Sequence, residues 1–194
     1  MQTSSDSTLA RAAANGDQAS AGQLYHRYAD RIFAVCYRVL LDHASAKDGS
    51  QEAWIKIFRN LARYDGSKSF VAWARTIAVR AAIDEHRKQG RRRKKETDNE
   101  FVFENIQQPE SARRQTDENA FELKVHACLG LLSEAQRAAF TLRHYEGAAY
   151  AEIAQALQCS EGTVKTHIHR AARVLRKALA PYQEVMEHHE ENHG

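Results

Sequence analysis

Apolar residues recur at helical spacing along most of this chain, and the alternation that marks a strand is rare. A short helix is predicted over 6–17, ending at Asn15-Gly16, a pair that suits a helix C-terminus. A longer one follows over 19–41. Leu24, Tyr28, Ile32, Val35 and Val39 form its stripe, and Tyr25, Phe33 and Cys36 widen it, which implies contact with more than one neighbouring helix. After a polar break at 42–47, Ala53, Trp54, Ile57, Phe58 and Leu61 give the inner face of a third helix over 46–64. Gly49 inside it costs about 1 kcal/mol against alanine, and leaves the start of that helix open. The segment 64–69, YDGSKS, is a loop, and Ser69 is placed to cap a fourth helix over 70–88 that packs through Phe70, Trp73, Ala74, Ile77 and Ala81.

Beyond this the periodicity stops. Residues 96–118 are acidic, contain one proline and read as a linker, although Phe101, Val102, Phe103 and Ile106 are unusual in a solvated connector. Periodicity resumes near Asn119 with Phe121, Val125, Cys128, Leu129 and Leu132. Ser133 and Gln136 form a capping box that opens the next helix, which runs to Tyr145 before Glu146-Gly147 breaks it. From Tyr150 to Arg176 two helices are joined by a tight turn at Gln158-Cys159-Ser160. The first packs through Ile153, Ala154 and Leu157, and the second through Val164, Ile168, Ala171 and Leu175. The second helix leaves Lys165, Thr166, His169, Arg170 and Arg173 on its other face. This is the layout of a helix-turn-helix, whose second helix enters the DNA major groove. Spacing alone also fits an ordinary helical hairpin with a basic solvated face. Pro181 is expected to end the helix, leaving 182–194 as an acidic, His-rich tail.

Charge sharpens the picture. The net charge is only +3, but residues 86–95, HRKQGRRRKK, hold seven Lys/Arg, and residues 96–122 hold eight Asp/Glu against Arg113 and Arg114. So dense a basic run repels itself unless an anion lies against it. Beside the aromatics Phe70 and Trp73 it suits single-stranded nucleic acid, although both aromatics also sit at core spacing. Cys36, Cys128 and Cys159 are far apart and form no CxxC pair, so a reduced, cytoplasmic setting is expected. The N-terminus lacks a signal-peptide core and no run of about 18 apolar residues suggests membrane insertion. Ten histidines are scattered without an HExxH pattern; His188, His189 and His193 in the tail lack a rigid frame, so no metal, cofactor or enzymatic activity is expected.

Several motifs together resemble the extracytoplasmic-function (ECF) type of bacterial RNA polymerase sigma factor, within the sigma-70 family (group 4). LYHRYADRIF, DGSQEAWIKIFRNLARYDGSKSFVAWARTIA and the basic continuation are similar to the region-two domain. LSEAQRAAFTLRHYEGAAYAEIAQALQCSEGTVKTHIHRAARVLRKAL is similar to region four. The resemblance covers about residues 8–180 and implies an all-α protein of two small helical domains. These are a region-two bundle over 1–95 and a region-four helix-turn-helix domain over 119–181, joined by a flexible acidic linker.

By position, the resemblance implies that Asp48, Gln51, Glu52, Ile55 and Arg59 bind core polymerase, with Trp54 and Phe58 behind them. Tyr64, Asp65, Gly66, Ser67, Lys68 and Ser69 would capture flipped bases of the minus-ten element. Arg75, Arg80, Arg87, Lys88, Arg91, Arg92 and the rest of the basic run would hold the strand and the adjacent duplex. Ser160, Thr163, Lys165, Thr166, His169, Arg170 and Arg173 would meet the minus-thirty-five duplex. The implied partners are core polymerase, promoter DNA in both duplex and single-stranded form, and an anti-sigma factor. Three positions depart from the family pattern: Gly49-Ser50 in place of bulky apolar residues, Arg80 where many relatives have Asn, and Ala149 in place of a hydroxyl. The rival is a dimeric helix-turn-helix regulator, which accounts for 160–176 but gives the basic run and the DxxQE-type helix no role.

Overall fold

The structure is a computed structural model that describes residues 5–97 and 124–191, with side chains described for 5–91 and 124–180. The linker residues 98–123, including Phe101, Val102, Phe103 and Ile106, fall outside the described residues, as do the side chains of Arg92, His188 and His189 and all of His193. The described residues are helical, without strands. In chain order they are α1 (Asp6–Ala14), α2 (Gln18–Leu40), α3 (His43–Arg59), a 3-10 turn (Leu61–Arg63), α4 (Phe70–Thr97), α5 (124–129), α6 (Glu134–Phe140), a π-helical turn (Thr141–Tyr145), α7 (Tyr150–Leu157) and α8 (Glu161–Glu191).

The polar break between α2 and α3 is shorter than its composition suggests. Leu41 takes a left-handed conformation (φ 62°) and returns its N–H to Tyr37 O. Asp42 then caps α3, accepting from the Ser45 N–H at 2.8 Å. The helix therefore starts at His43, ahead of Gly49, and Gly49 does not delay it. Gly49 is needed for packing instead. A Cβ there would stand 3.0 Å from Leu40 Cδ1 and 3.8 Å from the Ala82 Cα. Buried Ala74, Ala78, Ala81 and Ala82 present a similarly slim surface on α4, so α2, α3 and α4 approach closely. The Cys36 thiol lies in this seam, 3.8 Å from Ala78 O, and burial pushes its pKa up to about 12.

The second set of helices follows the expected turn chemistry. Ser133 and Gln136 close a capping box on α6. Gln158, in the left-handed region (φ 53°), ends α7, and Ser160 Oγ accepts from the Thr163 N–H at 3.1 Å to open α8. Ala149 has no cap oxygen, but half of a capping box survives because Glu152 accepts the Ala149 N–H at 3.0 Å. Pro181 does not end α8: the backbone stays helical to Glu191 and takes up most of the tail. A proline inside a helix removes one donor and costs about 3 kcal/mol, which penalises continuation without forbidding it.

The two sets of helices pack against each other. One apolar core runs from α1–α4 into α6, α7 and α8, through residues such as Phe70, Ala78, Leu142 and Ile153. A smaller cluster joins Cys128, Leu129 and Leu132 to Ala171 and Leu175. Across the seam the Arg137 guanidinium is 6% exposed and donates to Val39 O at 2.6 Å and to Leu129 O. His126 stacks on Tyr37 with centroids 4.7 Å apart.

A side chain larger than alanine at Gly49 forces α2 and α3 apart. Gly49→Val should therefore destabilise the first bundle by about 1–3 kcal/mol in urea unfolding, and an unchanged midpoint would contradict the close approach. His126 gives a pH signature. Burial, and secondarily Arg137, hold its pKa below the usual 6.5, and its buried Nε2 has no hydrogen-bond partner among the described residues. The unfolded ring takes up a proton near 6.5 and the packed ring only at lower pH, so stability falls as pH drops through that window. His126→Phe keeps the stack and should flatten the slope; an unaltered slope would place its origin elsewhere.

Candidate nucleic-acid interface

Three faces carry the residues singled out by the sequence. On α3 the residues Asp48, Gln51, Glu52, Ile55 and Arg59 are all exposed and fall on one side of the helix. Ile55 is 44% exposed among these charges. Behind it the Trp54 ring packs on Phe58 at 5.3 Å and on Tyr25 of α2 at 5.0 Å. Tyr25, itself 43% exposed, extends the face onto α2. Periodicity assigned it to the α2 stripe, so its place on this rim was not readable from spacing.

The second face begins at the 64–69 loop. Gly66 has a positive φ of 75°, Asp65 Oδ1 accepts the Ser67 N–H at 2.8 Å, and the Tyr64 hydroxyl donates to Lys68 O. The Ser67 hydroxyl, which also donates to Asp65 Oδ1, and then the Ser67 N–H hold the Asp65 carboxyl below the usual range. Ser69 Oγ accepts the Ala72 N–H and so caps α4. Tyr64, Phe70 and Trp73 form an aromatic cluster with centroids 5.4–5.9 Å apart. Phe70 is its buried anchor, and Tyr64 and Trp73 are only partly covered. They line a cleft of about 510 Å³ together with Lys56, Arg63, Lys68 and Arg80.

Arg75 and Arg80 differ from expectation. A role in holding the strand implies open side chains, but Arg75 is 6% exposed and Arg80 half-buried, because the second set of helices covers this side. Arg75 donates to Glu146 O and to Glu152 Oε2, and Arg80 donates to the carbonyls of Ala156 and Gln155. Glu152 also pairs with Lys68 at 3.0 Å. The Ala149 N–H first, and then Lys68, hold its carboxyl below the usual range. Arg31 of α2 meets the buried Glu146 carboxylate at 3.0 Å. Farther along α4, His86 and Arg87 reach Glu134 at 3.0 and 3.6 Å, while Lys88 and Arg91 are exposed. No spacing rule finds these bonds, since their partners lie more than 45 residues apart. Nothing in the local sequence marks Glu152 as the partner of Lys68 and Arg75.

The third face is the open side of α8. Ser160, Thr163, Lys165, Thr166, His169, Arg170 and Arg173 are all exposed. Thr166 Oγ1 donates back to Gly162 O at 3.0 Å, and Lys165 lies over the Tyr150 ring at 5.6 Å. Val164, Ile168, Ala171 and Leu175 on the opposite side fix the helix to the core. An exposed helix whose first turns carry short polar and basic side chains has the geometry for a major groove.

Comparison with known proteins decides the family. Residues 24–92 match the model of sigma-70 region 2, and residues 122–175 match that of sigma-70 region 4. The chain belongs to the sigma-70 family. Among curated proteins it is 33% identical to the RNA polymerase sigma-H factor of Pseudomonas aeruginosa, over 91% of this chain and 94% of that one. It is 29% identical to the ECF RNA polymerase sigma factor SigK of Mycobacterium tuberculosis, over 88% and 91%. The fold is similar to that of the sigma factor RpoE of Bartonella quintana, solved with the anti-sigma factor NepR (TM-score 0.65, 23% identity, 82% of this chain and 96% of that one). It is likewise similar to CnrH, solved with the cytosolic domain of CnrY (TM-score 0.63, 22% identity, 92% and 99%).

The chain is thus an ECF-type sigma factor, a family of non-catalytic initiation factors that direct core RNA polymerase to promoters. Both halves have a family match, whereas the rival dimeric regulator left the first half without a role. Among the described residues no helix is long and apolar enough to cross a membrane.

Proposed function

We propose that the three faces divide the work of initiation. The first domain, over 1–95, docks on core polymerase through Asp48, Gln51, Glu52, Ile55 and Arg59. The observation that carries this is the open α3 face, where a large apolar side chain stays exposed among charges while its neighbours Trp54 and Ile57 are buried. The 64–69 loop and the Tyr64–Trp73 cleft take unstacked bases of the minus-ten element. Arg75, Arg80, Arg87, Lys88, Arg91 and Arg92 take phosphates of the strand and the adjacent duplex. The second domain, over 119–181, reads the minus-thirty-five duplex through Lys165, Thr166, His169 and Arg170, with Ser160, Thr163 and Arg173 at phosphate.

Two weak DNA contacts and one polymerase contact combine through multivalency, so none has to be tight alone. The protein itself catalyses nothing and works in the cytoplasm. An anti-sigma factor holds it in check by covering apolar surface such as Ile55 and Tyr25. The solved complex of RpoE with NepR supports this as the kind of partner.

The test is initiation by core polymerase on DNA from upstream of the protein's own operon. Glu52→Lys should weaken core binding about tenfold or more while the duplex contact of α8 persists, and unchanged core affinity would remove Glu52 from the interface. Arg170→Ala should weaken promoter binding by about 1–3 kcal/mol with core binding intact. Equal loss of both would show that Arg170 acts through the fold instead of through DNA.

A further inference from the structure

The hydroxyl of Tyr28 has a use that its place in the α2 stripe does not explain, since phenylalanine would serve the stripe as well. It donates to Asp6 Oδ2 in the first turn of α1, and Asp6 Oδ1 takes Arg27 at 2.8 Å. Burial first, and then Asp6, push the Tyr28 pKa up to about 12, so the hydroxyl remains a donor. The Tyr28 ring packs on Phe70 with centroids 5.4 Å apart. Phe70 is fully buried and meets Tyr64 and Trp73 at 5.7 and 5.9 Å. Those two rings face the cleft. Helix α1 meets the same region a second time. It packs on the 3-10 turn that leads into the 64–69 loop, and a Cβ at Gly66 would stand 3.7 Å from Ser7 Cβ. Leu9 and Ala10, both buried, fix α1 to the core. Asp6, Ser7 and Tyr28 do not line the cleft themselves, so they act on it from behind.

We propose that α1 braces the minus-ten cleft, and that Asp6 and Tyr28 are positioning residues for base capture: Asp6 holds Tyr28, Tyr28 holds Phe70, and Phe70 sets the places of Tyr64 and Trp73. The proposal rests on the reading of this cleft as the minus-ten site. A ring that receives an unstacked base has to be held within about 0.5 Å of the productive geometry by the packing and hydrogen bonds behind it. Phe70 supplies that hold only as far as its own position is fixed, and Tyr28 is the ring that packs on it from α2. The Asp6 carboxylate lies at the end of α1 that the helix dipole makes favourable for an anion, and its charge strengthens the bond to the Tyr28 hydroxyl. Ser7, one residue on, limits the loop at Gly66 from the same helix.

The test uses the full chain bound to core polymerase. The probe is the single-stranded oligodeoxynucleotide that this complex enriches from a randomised pool, with copies that carry one abasic nucleotide at each position in turn. In the parent, the abasic copy at a captured position should bind about tenfold more weakly, because a stacked base is lost. Tyr28→Phe keeps the ring and removes the hydroxyl, and Asp6→Ala removes its acceptor. Each should bind the intact probe more weakly, by about threefold or more, with core affinity unchanged and a smaller abasic penalty at that position. The double variant should lose no more than the larger single loss, because both residues act through one contact. Asp6→Ala also removes a negative charge, so bulk charge alone would tighten binding where the brace weakens it.

Unchanged strand binding in both variants would overturn the brace and leave the minus-ten reading standing. So would a loss that keeps the full abasic penalty, or one matched by an equal loss of core binding, since either would trace the effect to the fold at large. Losses that add in the double variant would break the chain from Asp6 through Tyr28. A parent complex that enriches no strand, or that is indifferent to every abasic position, would overturn the minus-ten reading and the brace with it.

Discussion

The guanidinium of Arg75 is the group on which the arrangement of the two domains depends. It is almost fully buried, and its charge must find partners there or the burial costs several kcal/mol. Among the described residues it finds them in the other domain, at Glu146 O and Glu152, while its Nε has no hydrogen-bond partner there. A buried charge loses about 3–5 kcal/mol of stability when its partner is removed. Arg75 therefore favours either the docked state or a state in which water or an external anion reaches it. A phosphate strand is such an anion. In the packed protein the second set of helices supplies those partners.

Other features of the seam act in the same direction. Arg137 ties Val39 O to Leu129 O, His126 lies on Tyr37, and the apolar core runs through without a break. Several of the charged groups at the edge of this core are half exposed. Arg31 is 48% exposed where it meets Glu146, and Lys68 is 51% exposed where it meets Glu152. Pairs this exposed contribute little individually and are screened by salt. Salt accordingly weakens the polar rim of the seam, while its apolar interior is continuous with the α2–α3–α4 core, where Gly49 and four alanines bring the helices into close contact.

Much of the fold was legible in the sequence, because helical periodicity and capping chemistry are local. The stripe on α2, the loop closed by Ser69, the capping box at Ser133 and the turn between α7 and α8 could all be read within windows of a few residues. The open faces of α3 and α8 followed from the same periodicity, since a residue that is not in the apolar stripe is left outside. What could not be read is what depends on partners far along the chain. Gly49 looked like a weakness until Leu40 and Ala82 stood against it. Arg75 and Arg80 looked like surface arginines because nothing local announces that α7 will cover them. Pro181 looked like a stop, and the helix passes through it.

The central claim is that buried Arg75 and Arg137 hold the two sets of helices together. The most direct measurement is the distance between labels at the exposed positions Gln23 on α2 and Arg176 on α8, followed by single-molecule energy transfer. The account predicts one narrow, short distance in the parent protein and a broader, longer one in Arg75→Ala. A broad, long distribution in the parent protein, or a short distance that persists in Arg75→Ala, would contradict it.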